Sequence, residues 1–141
     1  MIKPDRWRKI YKPAYAKIVA AIHSVGCFAH LHTDGVTHEI MEYLIEIGFD
    51  ELNPQMSCMD SEDVGRRFGG RVCFRADMDR QHTLPFGTPA DVTAYVHRLY
   101  RAFGQYGGGY VGYGQVGTDV PLSNAEAMLT AFFQLRYALQ E

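Results

Sequence analysis

The stretch FAHLHTDG, residues 28–35, alternates apolar with polar side chains and then ends at a glycine. A period of two is typical of a β-strand, in which successive side chains point to opposite faces of the sheet. We therefore predict a strand over Cys27–Asp34, with His30, His32 and Asp34 on one face. That face is either part of a functional site or only exposed to solvent, and features elsewhere in the chain help to distinguish the two.

The same arrangement of helix, glycine, short apolar strand and polar strand end recurs along the chain. Apolar residues at helical spacing predict the helices, and glycine is the usual left-handed stop after them. Thr88 is the best helix start, because Pro89 and Asp91 complete a capping box; Ser123 opens a second box. The predicted elements are helix Ala14–Val25, strand Cys27–Asp34, helix Thr37–Ile47, strand Phe49–Pro54, helix Asp60–Phe68, strand Arg71–Asp77, helix Thr88–Phe103, strand Tyr110–Gln115 and a helix from Ser123 to the C-terminus.

This order predicts an α/β fold in which four βα units follow an initial helix, as a single domain over residues 1–141. Parallel strands with right-handed crossovers fit either an open doubly wound sheet or part of a closed barrel. A full (β/α)8 barrel needs eight strands and about 250 residues, so four units make half of one. Strands of a doubly wound sheet are almost wholly apolar. The polar residues inside these strands, Arg75 among them, favour the half barrel with a wet cavity.

The composition argues against several classes of function. Hydrophobic residues make up 47% of the chain and the net charge is −2, which is unlike a basic nucleic-acid surface. No apolar run is long enough for a signal peptide or a bilayer span. The three cysteines form no CxxC pair, and we predict Cys27 and Cys73 in the core and Cys58 in a loop. We therefore expect a cytoplasmic protein with reduced thiols, binding neither nucleic acid nor membrane.

Ligands of parallel βα proteins lie at the carboxyl ends of the strands. Polar side chains recur there on all four predicted strands, which predicts a site along one rim. Solvation is the alternative explanation, and for Gln55 and Gln115 it stays open. The rim residues are His32 and Asp34, Asn53 and Gln55, Asp77 and Asp79, and Tyr113 and Gln115, of which Asn53, Asp77, Asp79 and Tyr113 are predicted to bind substrate.

On the first strand, His32 and Asp34 lie two residues apart and therefore share a face. Imidazole and carboxylate both bind zinc, so these residues are a candidate metal pair whose third ligand would come from another strand. The alternative is hydrogen bonding within a barrel mouth, which we favour for His30 and leave open for the other two.

The stretch GYGQVG, residues 112–117, is a literal GxGxxG but does not predict a dinucleotide site. That fingerprint must turn directly into a helix, whereas here the next helix waits until Ser123. We expect these glycines to thin the fourth strand and its loop, which allows close approach of a ligand or a neighbouring backbone.

The order and spacing of seven segments resemble the C-terminal half of the uroporphyrinogen decarboxylase superfamily, over essentially the whole chain. The segments are KPAYAKI (Lys12–Ile18), HLHTDG (His30–Gly35), FDELNP (Phe49–Pro54), MD (Met59 and Asp60), FGGRVCF (Phe68–Phe74), MDRQHTLPFGTPADV (Met78–Val92) and GGGYVGYGQVGTDVPLSNAEAM (Gly107–Met128). The resemblance implies a (β/α)8 barrel, of which this chain looks like the last four βα units.

The superfamily includes metal-free uroporphyrinogen decarboxylases and corrinoid-dependent methyltransferases that use zinc to activate a thiol. The methyltransferase pattern is His-x-Cys with a second Cys on the last strand; here His32 matches, Asp34 replaces the first Cys, and no Cys lies near Gly114. The decarboxylase pattern has a His where this chain has Tyr113. Its arginine-rich segment and catalytic Asp belong to the N-terminal half, which has no counterpart here. The HTDG form resembles a branch nearer the methyltransferases.

The resemblance implies an enzyme acting on a tetrapyrrole, either as a decarboxylase-like lyase or as a corrinoid-dependent methyltransferase. His32 and Asp34 would bind zinc or polarise the substrate. A half barrel exposes two sheet edges, so we expect a partner that is either a second copy or a separate N-terminal half. The alternative function is a non-catalytic half-barrel module that acts in dimerisation or ligand binding.

Overall fold

The computed structural model describes residues 2–136, which form one parallel sheet with helices in the connections. Single turns of 3₁₀ helix lie at Met56–Cys58 and Gly104–Tyr106. Within the described range, no helix combines the length and the hydropathy that crossing a bilayer requires. The elements are α1 (Pro4–Ser24), β1 (His30–Thr33), α2 (Met41–Ile47), β2 (Glu51–Pro54), α3 (Ser61–Phe68), β3 (Cys73–Asp77), α4 (Thr83–Phe86), α5 (Pro89–Phe103), β4 (Tyr110–Tyr113) and α6 (Leu122–Leu135).

The strands lie side by side in chain order, β1-β2-β3-β4, and every pair is parallel. A doubly wound sheet reverses its strand order at a switch point, whereas a barrel does not. Right-handed crossovers in one continuing direction place the connecting helices on one face of the sheet. The predicted α/β class and half-barrel architecture are therefore confirmed. The helix-covered face is called the convex face below, and the opposite one the concave face.

The hydrophobic core lies between the convex face and the helices. Leu52, Phe74 and Ala76 point into it and are at most 2% exposed. The Phe74 ring lies 4.9 Å from the ring of Phe103 on α5. Because every second strand residue reaches this core, the intervening residues must face the concave side.

Helix α1 begins at Pro4, ten residues before the predicted start at Ala14. Pro13 lies inside the helix and does not end it. The added turns are held by the ring of Trp7, which stacks on Tyr15 at 5.8 Å and on Tyr43 at 6.3 Å. Long-range aromatic packing therefore outweighs the local effect of proline, which the sequence pattern alone could not reveal.

One of the two predicted capping boxes is confirmed. The Asp91 N–H donates to the Thr88 hydroxyl at 3.2 Å, and the Thr88 N–H donates to the Asp91 carboxylate at 2.9 Å. The prediction at Ser123 is wrong, because α6 already begins at Leu122 after Pro121 and has no side-chain cap. Asn124 is instead buried against α4 and its C-terminal end, where it donates to two backbone carbonyls. The part of this predicted helix beyond residue 136 lies outside the described residues.

The strands are shorter than predicted, chiefly at their N-terminal ends, because the first predicted residues are not hydrogen-bonded to the adjacent strand. Consequently Cys27 precedes β1 and is exposed, which corrects its predicted place in the core. Cys73 is half-buried on the face opposite Phe74, so its predicted place in the core is also wrong. Cys58 is exposed, as its loop position predicted. At Gly112 the closely approaching group is a side chain instead of the predicted ligand or backbone, since a Cβ there would lie 2.5 Å from the Phe132 ring. The absence of a side chain there lets α6 approach the sheet.

Candidate functional site

The concave face is lined by polar side chains instead of a second apolar core. The strand register places these residues in rows across the sheet. His30, His32 and Arg75 are more exposed than the convex residues beside them, whereas Asn53 and Asp77 are buried. The barrel-like interior is therefore wet, as the polar strand positions predicted. The concave residues are His30 and His32 on β1, Glu51 and Asn53 on β2, Cys73, Arg75 and Asp77 on β3, and Val111 and Tyr113 on β4.

His32 is oriented by Asn53 on the adjacent strand. The Nδ1 atom lies 2.9 Å from Asn53 Oδ1 and 3.0 Å from the Asn53 carbonyl oxygen. Because both neighbours are acceptors, Nδ1 carries a hydrogen. The Asn53 amide in turn donates to the Arg75 carbonyl at 2.6 Å, which fixes the amide in this orientation. The arrangement leaves Nε2 available as a base or as a metal ligand.

Asp34 lies in the loop after β1 and is held by Arg80, which sequence reasoning did not select. Arg80 donates to Asp34 Oδ1 at 2.6 Å and to Gln115 Oε1 at 3.1 Å. The same Asp34 oxygen lies 3.7 Å from His32 Nε2. His32 and Asp34 are therefore brought together as predicted, with a guanidinium beside them. The available signal for Arg80 was its position directly after Asp79 in a predicted rim loop.

A second ordered contact runs along the rim at Gln55. The side-chain oxygen Oε1 of Gln55 accepts the Gly35 N–H at 3.0 Å, and its side-chain amide Nε2 donates to Gln81 Oε1 at 3.0 Å. Gln55 is 6% exposed. The loops after β1, β2 and β3 are thus tied together, so solvation does not account for this residue.

Asp77 and Asp79 are both buried, but their carboxyl groups have opposite surroundings. Burial raises the pKa of Asp77, and its hydrogen bond from the Met56 N–H at 3.1 Å offsets this only in part. Burial acts in the same direction on Asp79, yet the N–H groups of residues 81–83 and the Thr83 hydroxyl outweigh it and lower the pKa of Asp79. Asp79 therefore organises its own loop at the start of α4. The predicted substrate contacts of both residues stay predictions.

Arg75 is a further concave residue that the site prediction left out. Its guanidinium lies over the Tyr113 ring, 4.4 Å from the centroid, which places Tyr113 on the concave face as predicted. On the other side it approaches Glu51 at 3.9 Å, and Glu51 lies 2.7 Å from His30 Nδ1. His30 therefore pairs within the concave face, in line with the hydrogen-bonded interpretation that we favoured.

The zinc hypothesis can be compared with the donor groups that the fold assembles. Residues 2–136 contain no group of three or more His, Cys, Asp or Glu side chains arranged to hold a metal ion. The His32–Asp34 pair supplies two donors, and Arg80 already bonds the Asp34 carboxylate. These residues alone do not fit a zinc centre of the usual three or four protein ligands. Zinc at His32 and Asp34 stays a prediction.

Comparison with known proteins supplies the family. The profile described as uroporphyrinogen decarboxylase (URO-D) matches residues 1–135, which is nearly the whole chain. No curated protein matches the sequence. The half-barrel topology, the polar concave face and the extent of this match agree with the seven segments on which the resemblance rested. The chain belongs to the uroporphyrinogen decarboxylase family.

Proposed function

We propose that this chain forms part of a decarboxylase-like enzyme site for a tetrapyrrole that carries acidic side chains. The observation that supports this best is a pair of guanidinium groups, that of Arg75 on the concave face of β3 and that of Arg80 in the loop after β3. Arg80 bonds Asp34, whose carboxylate lies 3.7 Å from His32 Nε2 on β1. Arginine binds carboxylates through paired N–H groups, so a polyanionic substrate suits this face. In the proposal Asn53, Asp77, Asp79 and Tyr113 line the substrate pocket, and His32 with Asp34 carries the chemistry.

The chemistry proposed for His32 is proton donation. In a decarboxylation the bond between the acetate carbon and its carboxylate breaks, CO2 leaves, and the electron pair left on carbon takes up a proton. Asn53 fixes the imidazole through Nδ1, so the proton would leave from Nε2. Asp34, held by Arg80, stabilises the protonated imidazole before that step.

The proposal is tested by binding and by activity. We expect uroporphyrin, the oxidised octacarboxylate, to bind in fluorescence titration and its octamethyl ester to bind far less. Arg80→Gln and Arg75→Gln should each weaken binding by about tenfold, the usual effect of losing a charge-assisted hydrogen bond. Arg66→Gln is the matched control, because Arg66 is an exposed arginine on α3. Equal binding of the ester, or equal loss in the control, would contradict the anionic-substrate proposal.

A methyltransferase that uses zinc and a corrinoid is the second candidate. It is favoured by one feature, the free Nε2 of His32 at 3.7 Å from the Asp34 carboxylate. Metal analysis after zinc loading decides between the candidates, with His32→Ala as the variant that should lose bound zinc. Sub-stoichiometric zinc in the unaltered protein would remove the methyltransferase candidate.

We further propose a partner chain that completes the barrel, either a second copy or a separate N-terminal half. In the described range β1 and β4 each pair along one edge only. The outer helices beside these edges expose apolar side chains, with Ile10 63% and Ile18 53% exposed on α1, and Leu129 62% and Phe133 57% exposed on α6. Exposed edges and apolar patches of this kind are typical of interfaces.

Light scattering tests the partner. A stable, monodisperse monomer would contradict both partner proposals, the second copy and the separate N-terminal half. A dimer would support the second copy. Co-expression with a candidate N-terminal half, followed by an assay of uroporphyrinogen decarboxylation, separates the enzyme from the alternative of a non-catalytic module. Binding without turnover in the completed assembly would favour the module. We also propose a cytoplasmic location, supported by the unpaired state of all three cysteines.

A further inference from the structure

A groove that is open to solvent, called the cavity below, lies away from the concave face, between α4 and α5. Its volume is about 590 Å³, within the range of small-molecule pockets. Its walls come from the loop before α4, from α4 itself and from one stripe of α5. Helix α5 packs between α3 and α6, so this cavity is formed wholly by elements that are already in place and does not depend on closure of the barrel.

The charge of the cavity is predominantly positive. Arg98 and Arg101 lie three residues apart on α5 and therefore share a face. Neither forms an ion pair with another residue in the described range of the chain. Asp91 is the only carboxylate among the residues that line the cavity, and its hydrogen-bonding capacity is directed to Thr88 in the helix cap. Arg98, Arg101 and Asp91 together give the lining one excess positive charge, and the His82 ring that also lines it lies 3.4 Å from the Asp79 carboxylate.

The two arginines are held differently, and this suggests separate roles. The Arg98 guanidinium lies over the buried Tyr95 ring, 4.4 Å from its centroid. Arg98 is thereby oriented before any ligand arrives, whereas Arg101 keeps its donors free. Preorganised and free guanidinium groups at one helix face suit a planar oxyanion, which accepts two parallel N–H groups.

An apolar surface lies beside these charges. Phe86 at the end of α4 is 79% exposed although the adjacent Leu84 and Pro85 are buried. A large aromatic ring in this position offers a face on which the body of a ligand can pack. The cavity therefore combines one excess positive charge with one exposed ring.

We propose that this cavity is a binding site for a small monocarboxylate with an apolar body, separate from the concave tetrapyrrole site. Arg101 and Arg98 bind the carboxylate, and Phe86 contacts the apolar body. The single excess charge matches a monoanion better than a polyanion. The site is independent of the proposed function, because none of the concave residues lines it.

The test measures binding of 3-phenylpropionate to the chain of residues 1–141 by isothermal titration calorimetry. We expect saturable binding with a Kd of about 1 mM, the affinity that a ligand of this size ordinarily reaches. Three comparison compounds separate the contributions: 3-phenylpropanamide removes the charge, propionate removes the ring, and inorganic phosphate replaces the carboxylate. Each should bind at least about fivefold more weakly, since each lacks one of the proposed contacts.

Variants locate the binding. Arg101→Gln should weaken 3-phenylpropionate about tenfold, and Phe86→Ala should weaken it without changing the affinity for propionate. Arg66→Gln removes the same charge from α3 and should leave the affinity unchanged. Thermal unfolding of each variant checks that the fold is kept. We expect it to be kept, because the substituted side chains are exposed. Absence of saturable binding, equal affinity for the amide or for phosphate, or an unchanged affinity in Arg101→Gln would each overturn the proposal.

Discussion

The two faces of the sheet are built from alternating residues of the same four strands, yet they have opposite character. On β3, Phe74 and Ala76 are fully buried beneath the helices, whereas Arg75 between them faces the concave side and lies over Tyr113. Apolar packing on the convex face supplies most of the stability. The concave face contributes little apolar burial and keeps ionisable groups accessible. The difference indicates that stability and chemistry are assigned to separate faces, and substitutions can test that division.

The largest effect is expected at Phe74. Phe74→Ala should lower the free energy of unfolding by about 3–5 kcal/mol, because a fully buried ring is replaced by a cavity. The matched variant is its concave neighbour, Arg75→Gln, which should cost less than about 1 kcal/mol because its contact with Glu51 is partly exposed. Urea unfolding followed by circular dichroism measures both. If Phe74→Ala does not fold, Phe74→Leu should give a smaller loss of the same sign. Similar losses at positions 74 and 75 would break the division between the faces.

A smaller effect is expected at Asp79, where the concave rim does contribute to stability. Asp79→Ala leaves the N–H groups of Gln81, His82 and Thr83 without their carboxylate and should cost about 1–3 kcal/mol. Asp79→Asn keeps an acceptor and should lose less.

The contribution of Asp79 should also depend on pH. The folded-state pKa of Asp79 lies below the ordinary value of 3.8, so its stabilisation is present above pH 3.8 and disappears as the pH falls through the lower folded value. Urea unfolding of the unaltered protein and of Asp79→Ala should therefore converge in strong acid. A difference that stays constant down to strong acid would contradict this origin.

The smallest effect, with the opposite sign, is expected at Asp77. Burial raises its folded-state pKa above the ordinary value of 3.8, so the charged carboxyl opposes folding. This cost is absent below about pH 3.8 and grows as the pH rises through the folded value. Asp77→Asn removes the charge and keeps an oxygen for the Met56 N–H, so it should be more stable than the unaltered protein at pH 7 and similar to it in acid.

Unfolding measurements at the two pH values check the prediction for Asp77. Loss of uroporphyrin binding in the same variant would indicate that the carboxyl group is retained for function at a cost in stability. A destabilised Asp77→Asn at pH 7 would show that the hydrogen bonds of the carboxylate outweigh its burial.

The order of elements could be predicted from the sequence because each βα unit carries local signals. Alternation along FAHLHTDG and the Thr88 capping box depend on residues a few positions apart, and both features are confirmed. Local signals failed where distant contacts compete with them. Trp7 extends α1 past Pro13 by stacking on Tyr43, and Asn124 is drawn into a buried contact near α4 instead of a helix cap at Ser123.

The sequence by itself determined the α/β class, the family and the placement of His32, Asp34, Asn53 and Tyr113 on one side of the sheet, because periodicity and spacing are local properties. The tertiary structure decided how these side chains are bonded. Asn53 selects the proton position of His32, and Arg80, 46 residues after Asp34, binds its carboxylate. Such pairings join loops that meet only when parallel strands align, and no local pattern encodes them. The cavity between α4 and α5 could likewise not be predicted from the sequence, because its lining residues come from separate elements that meet only in the folded chain.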